Sequence, residues 1–164
     1  MNPLPFSARF ARPGWLLAGA LFLLSLGGSW ALFGPERNGA AADADDTLQV
    51  VYHINADDPA LHLNALRNLQ NHIDGSGMDR LEIKVVMHGG GVSLLQYANE
   101  EPDLRATVDT LKMQDVRFLV CGNTLDKRGI GLDDLYDAQP EDRVPSGIGE
   151  LTRLQRAGYT YIKP

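Results

Sequence analysis

"LQVVYHINADDPALHLNALRNLQNHIDGSGMDRLEIKVVMHGGG", residues 48–91, changes its periodicity twice. Its opening, "LQVVYHI" (48–54), is apolar and rich in β-branched residues, as a buried strand is. "ADDP" (56–59) is a turn that opens a helix. Leu61, Ala65, Leu66, Leu69 and Ile73 then recur at helical spacing, and "DGSG" (74–77) stops the run. "LEIKVVMH" (81–88) is a second strand, with Leu81, Ile83 and Val85 on one face. "GGG" (89–91) is a flexible turn. A strand, a helix and a strand in that order make a βαβ unit, whose strands run parallel.

The pattern continues downstream. Val92–Ala98 is a short amphipathic piece, and Pro102 starts a helix with Leu104, Val108 and Leu111 on one face. "VRFLVC" (116–121) is a third strand. "NTLDKRGIGLDDLYD" (123–137) reads as short helices and loop, and "RVPSG" (143–147) as a brief strand and turn. Ile148, Leu151 and Leu154 give a last helical stripe that Gly158 caps, and "YTYIKP" (159–164) is a final strand. The expected architecture is α/β: a parallel sheet with helices on its faces.

The N-terminus has a different character. Met1–Arg12 carries Arg9 and Arg12 and no acid, and Trp15–Phe33 is 19 residues without a charge. Residues 1–34 read as a signal peptide, with small-residue sites near Ala31 or Ala42, or as a hydrophobic helix that anchors the chain. The stretch exceeds the usual signal-peptide core, and about 18 apolar residues can span a bilayer, which favours the anchor. Residues 35–46 form a polar linker and 47–164 the folded domain. Basic charge before the apolar segment and acid after it place that domain outside the cytoplasm, either held at an inner membrane or released into the periplasm.

The whole chain has a net charge of −6. Residues 1–44 carry three bases (Arg9, Arg12, Arg37) and two acids (Glu36, Asp43), so the remainder is one unit more acidic than the whole. With no basic cluster or aromatic-interleaved patch, a nucleic-acid partner is not expected. One cysteine cannot form an internal disulfide, so the domain stands on its own core.

In parallel α/β sheets, ligands sit beyond the carboxyl ends of the strands. His53 closes the first strand. His88 closes the second and runs into Gly89 and Gly90. Cys121 closes the third and runs into Gly122, Asn123 and Thr124, and Ser146 follows the fourth. Two imidazoles, a thiol and hydroxyls therefore share one rim. A cysteine ending a buried strand is ordinarily a small hydrophobe. A helix starting at Asn123 would turn free N–H groups toward Cys121 and favour its thiolate, and a protonated His88 would favour it further. The glycines after His88 allow close backbone approach to a ligand. His62 and His72, on the first helix, read as solvated or peripheral. The triple glycine lacks the G-x-G-x-x-G and G-x-x-x-x-G-K-[ST] patterns, and no G-x-S-x-G elbow is present. His53, His88 and Cys121 lack the short-range spacing of a metal site. No metal and no cofactor is expected.

"VVYHINADDP", "VVMHGGGVSLL", "VRFLVCGNTL", "GIGLDDL" and "VPSGIGELTRLQRAGYTYIKP" together resemble the DsrE/DsrF-like family of sulfur-metabolism proteins, over about residues 48–164. The small single-domain, YchN-like members are the nearest in pattern. The resemblance implies a three-layer flavodoxin-like fold and a homo-oligomer. It also implies sulfur carried as a persulfide on a strand-end cysteine, here Cys121, and passed between sulfur donors and acceptors, whether proteins or small sulfane-sulfur compounds. His53, His88, Gly89, Gly90, Gly122, Asn123, Thr124 and Ser146 would line that site. The second expectation is a non-catalytic, anchored binding module in which Cys121 is a packed thiol. Thiol reactivity separates the two.

Overall fold

The computed structural model describes residues 47–164. The leader and the linker (1–46), including the hydrophobic helix expected near the N-terminus, lie outside the described residues. Among the described residues no helix is long and apolar enough to cross a membrane.

Five parallel strands form one sheet: β1 (Leu48–Ile54), β2 (Leu81–Met87), β3 (Arg117–Cys121), β4 (Arg143–Val144) and β5 (Thr160–Ile162). Between them lie α1 (Pro59–Ser76), α2 (Ser93–Tyr97), α3 (Pro102–Met113), α4 (Gly122–Arg128) and α5 (Gly147–Arg156). The strand order is β4-β3-β2-β1-β5. The layers are flavodoxin-like.

Helix α1 begins where Asp58 accepts hydrogen bonds from the N–H groups of Ala60 and Leu61, with Pro59 as its first residue. This pairs a side-chain cap with a residue whose missing N–H costs nothing there. Its buried stripe is His62, Ala65, Leu66, Leu69 and Ile73. His62 therefore replaces the expected Leu61, which is exposed. The imidazole is 0% exposed and lies against the Ala56 carbonyl oxygen through Nε2 at 2.8 Å, so it is not peripheral. His72 is held by the Tyr52 hydroxyl, 2.9 Å from its Nδ1.

The two faces of the sheet are covered unequally. Val50, Tyr52, Ile54, Val85, Met87, Phe118 and Val120 pack with α1–α4 in the larger core. The alternate residues Val51, Val86 and Leu119 pack with Leu151 and Leu154 of α5, and with Tyr159, in the smaller one. The strand order explains this. β4 and β5 lie on opposite edges, so the chain must return across the whole sheet, and α5 makes that crossing over β3, β2 and β1. The stripe of α5 is Leu151 and Leu154; Ile148, expected to share it, is exposed.

Since α5 is the helix that covers that face among the described residues, Leu154→Ala is expected to destabilise the domain by about 3 kcal/mol, the usual range for truncating a fully buried leucine. Urea unfolding of the two proteins measures it.

Candidate functional site

The connections leaving β3 and β4 diverge. β3 runs into α4, whose Leu125 joins the larger core, and β4 runs into α5, which joins the smaller. Such a divergence opens a crevice at the carboxyl ends of the two strands. Cys121 is the last residue of β3 and pairs with Val144 of β4, so it lies in that crevice.

The thiol is 5% exposed. Burial alone would push its pKa up. The Thr124 hydroxyl and the backbone N–H groups of Gly147, Thr124 and Asn123 oppose this and bring it below the ordinary thiol value. Thr124 Oγ1 accepts a hydrogen bond from the Gly89 N–H at 3.0 Å, which leaves its own proton free to face sulfur. The Asn123 N–H donates to the Pro145 carbonyl at 3.2 Å, so it acts on the sulfur as a nearby dipole. Helix α4 has seven residues and begins at Gly122, one residue before the expected start. Separate donors from α4 and from α5, rather than one long helix, surround the sulfur.

The histidines are adjacent. Register pairs β1 with β2 to their last residues, and His53 Nε2 lies 2.6 Å from His88 Nε2, the rings stacked with centroids 4.6 Å apart. His53 Nδ1 lies 2.7 Å from the Tyr161 hydroxyl. Burial, the neighbouring His88 and Lys163 lower the His53 pKa from 6.5 to about 4. Burial and then Lys163 lower that of His88 as well. His88 is therefore neutral near pH 7 and does not favour the thiolate by charge, as a protonated ring would. It does stand beside the thiol. A Cβ placed on Gly147 would lie 2.8 Å from His88 Cβ and 3.2 Å from Cys121 Cβ.

Two of the glycines after His88 are packed on protein. A Cβ on Gly90 would meet Asp57 N at 2.8 Å, and one on Gly91 would meet Ile54 O at 2.1 Å. They let the loop pack closely on the β1–α1 backbone. Gly89 has φ +54° and open space beside it. Ser93 Oγ bonds Asp57 Oδ1 at 2.5 Å and Tyr97 OH bonds the same oxygen at 3.1 Å, tying the loop down. Gly122 is close-packed too, with Arg143 Nε 2.9 Å from where a Cβ would stand. Ser146 caps α5, its Oγ accepting from the Gly149 N–H at 3.2 Å. Cys121, Thr124, Asn123, Gly89, His88 and His53 therefore lie together at the rim, and Gly90, Gly122 and Ser146 are packed or capping residues beside them. Among the described residues, no group of three or more His, Cys, Asp or Glu side chains converges to hold a metal ion.

Gly147 and Tyr161 were not singled out from the sequence. The signal for Tyr161 was its period-two spacing from Tyr159 in a strand-like stretch. On the other side of His53 lies a cavity of about 270 Å³, walled by Asn55, Leu61, Asn64, Asn68 and Lys163.

Residues 47–164 match the model of the DsrE/DsrF-like family. The chain belongs to that family. Its DsrE/DsrF-like domain is 32% identical to a protein of unknown function, MTH1491 from Methanobacterium thermoautotrophicum, covering 71% of this chain and 99% of that one with a TM-score of 0.60. The ychN protein from E. coli shares the fold at 18% identity, with 71% and 99% covered and a TM-score of 0.56. No curated protein matches. The family is associated with sulfur metabolism.

Thr124→Val keeps the shape of the side chain and removes the hydroxyl. The pH midpoint of Cys121 alkylation should move upward, read from iodoacetamide rates across pH. His53 generates a second expectation. Between pH 6.5 and about 4 the unfolded chain binds a proton at this ring that the folded chain refuses. Stability therefore falls as pH drops through that interval. His53→Gln lacks this component, so its urea midpoint should fall less from pH 7 to pH 4.5 than that of the wild type.

Proposed function

We propose that the domain is a sulfur carrier that holds sulfane sulfur as a persulfide on Cys121 and passes it to a partner. The observation that supports this reading is the donor set around Sγ: a hydroxyl and backbone N–H groups from two helices favour negative charge on the sulfur. A thiolate is the attacking species in sulfur exchange. A lone cysteine suits a carrier, since no second thiol in the chain can displace the sulfur as an internal disulfide. Donors and acceptors would be small sulfane-sulfur compounds or partner proteins. The apolar leader points to work outside the cytoplasm, anchored or released, and the family resemblance to a homo-oligomer.

The burial of Cys121 favours the other reading, a non-catalytic binding module with a packed thiol. One experiment separates them. The full chain is incubated with polysulfide and weighed by intact mass spectrometry, with and without reductant. A reductant-labile gain of one sulfur mass, absent in a folded Cys121→Ser variant, is the expected result. Loading of Cys121→Ser, or a wild-type thiol that neither loads nor alkylates at neutral pH, would hand the site to the module reading. The same mass reports whether the membrane-fraction chain still begins at Met1.

A further inference from the structure

We propose that Tyr161, His53 and His88 form a proton relay serving Cys121, with His88 Nδ1 as the working end and Tyr161 as the solvent end. The reaction it serves rests on the sulfur-carrier reading; the relay's own geometry does not.

The argument is one of proton placement. Two imidazole nitrogens 2.6 Å apart require one proton between them: one ring donates and the other accepts. The 2.7 Å contact from His53 Nδ1 to the Tyr161 hydroxyl imposes the same condition. With both rings neutral, only two arrangements satisfy both contacts. In the first, Tyr161 donates to His53 Nδ1, His53 Nε2–H donates to His88 Nε2, and His88 carries its proton on Nδ1. In the second, His53 Nδ1–H donates to the Tyr161 oxygen, His88 Nε2–H donates to His53 Nε2, and His88 Nδ1 is bare. Changing arrangement turns His88 Nδ1 from an acid into a base and leaves both rings uncharged.

The ends of this chain are where a relay needs them. Tyr161 is 41% exposed, on the edge strand β5, in contact with water. At the other end, a point 3.2 Å from Cys121 Cβ is 2.8 Å from His88 Cβ and 3.4 Å from His88 Cγ, to which Nδ1 is bonded. The titratable groups around the rings are Tyr161 and Lys163 from the β5 segment and Cys121 from β3; Lys163 acts on both rings and disfavours a charged one. That is the condition under which a proton leaving one end is replaced from the other rather than stored.

The chemistry balances. The Cys121 thiol gives its proton to bare His88 Nδ1; Nε2–H passes to His53, Nδ1–H passes to Tyr161, and Tyr161 releases its proton to water. The thiolate attacks the outer sulfur of a donor R–S–S–H. A new S–S bond forms on Cys121, the bond between R–S and the outer sulfur breaks, and R–S⁻ leaves. His88 Nδ1–H protonates R–S⁻, and the chain refills from water through Tyr161. The products are Cys121–S–S–H and R–S–H, and no external oxidant or reductant is consumed. In this relay His88, whose Cβ shares the Gly147 contact with the Cys121 Cβ, is the ring that meets the reacting sulfur, and His53 and Tyr161 position its proton.

The test uses ¹⁵N-imidazole NMR on the full chain, together with stopped-flow loading of Cys121 from polysulfide. In the wild type, the His88 Nδ1 resonance is expected between its protonated and bare positions, and to move with pH as Cys121 loses its proton. Tyr161→Phe, an edge-strand change, should lock His88 in one tautomer and slow loading by about ten-fold or more, at the lower edge of what positioned proton transfer contributes. His53→Gln, which hydrogen-bonds on both sides but carries no transferable ring proton, should show the same slowing. A wild-type His88 fixed in one tautomer and indifferent to Tyr161→Phe would overturn the relay, and so would Tyr161→Phe loading at the wild-type rate. A wild type that never loads removes the sulfur-carrier reading instead, and the tautomer measurement still decides the relay.

Discussion

Gly147 is the point on which the rim of this domain depends. The strand order puts β4 and β5 on opposite edges, so one helix must carry the chain back across the sheet. That helix starts at Gly147, and its first Cα is pressed against His88 and Cys121 together. A methyl group there would meet both Cβ atoms well inside normal contact, and neither sits on a flexible side-chain end that could swing away. The absence of a side chain therefore sets how close imidazole and thiol come. It also lets the Gly147 N–H reach the sulfur. One residue thus carries a demand of topology and a demand of chemistry at once.

The electrostatics of the crevice follow from burial. An imidazolium about 4 Å from a thiolate would gain roughly 4 kcal/mol in near-surface surroundings. Desolvation is nevertheless the largest influence on both rings, and Lys163 adds to it. The rings stay neutral, and the thiol draws its stabilisation from uncharged donors. A hydroxyl and amide N–H groups carry no desolvated charge of their own, so they can sit deep in the crevice without a counter-ion. This division leaves the histidines free to exchange protons rather than hold one.

Much of the domain was legible in the sequence because its signals are local. Period-two and period-3.6 runs, Asp58 before Pro59, and glycines at turns gave five strands and the helices between them within a residue or two. Position at the carboxyl end of a strand was enough to pick out Cys121, His88 and His53. What stayed hidden depended on strand order. The contact between His53 and His88 needs β1 beside β2, and the arrival of Gly147 at the thiol needs α5 to begin on the far side of β4. Leu61 and His62 show the limit of periodicity: both sit near the edge of the helix stripe, and hydropathy favoured the leucine. The Ala56 carbonyl decided otherwise by giving the imidazole a partner. The packing of Gly90 and Gly91 on the β1–α1 backbone was hidden for a similar reason, since close approach to a ligand and to another loop leave the same residue in the sequence.

If the domain carries sulfur as proposed, the burial of Cys121 bears on the direction of transfer. An acceptor thiolate meeting a persulfide can attack either sulfur. Attack on the outer one passes the sulfur on; attack on the inner one joins the acceptor to the protein as a mixed disulfide and discards the cargo. In this crevice Sγ lies among the donors of Thr124, Gly147 and Asn123, with 5% of the residue exposed. The outer sulfur of a persulfide stands about 2 Å further along the S–S bond, toward the open end of the cleft. Loading therefore needs one approach to a recessed atom by something small, whereas unloading takes place at an atom that the recess has pushed outward. Seen this way, a buried strand-end cysteine and a carrier cysteine are not opposites: the depth that keeps bulky thiols from Sγ is what would keep the cargo from being lost.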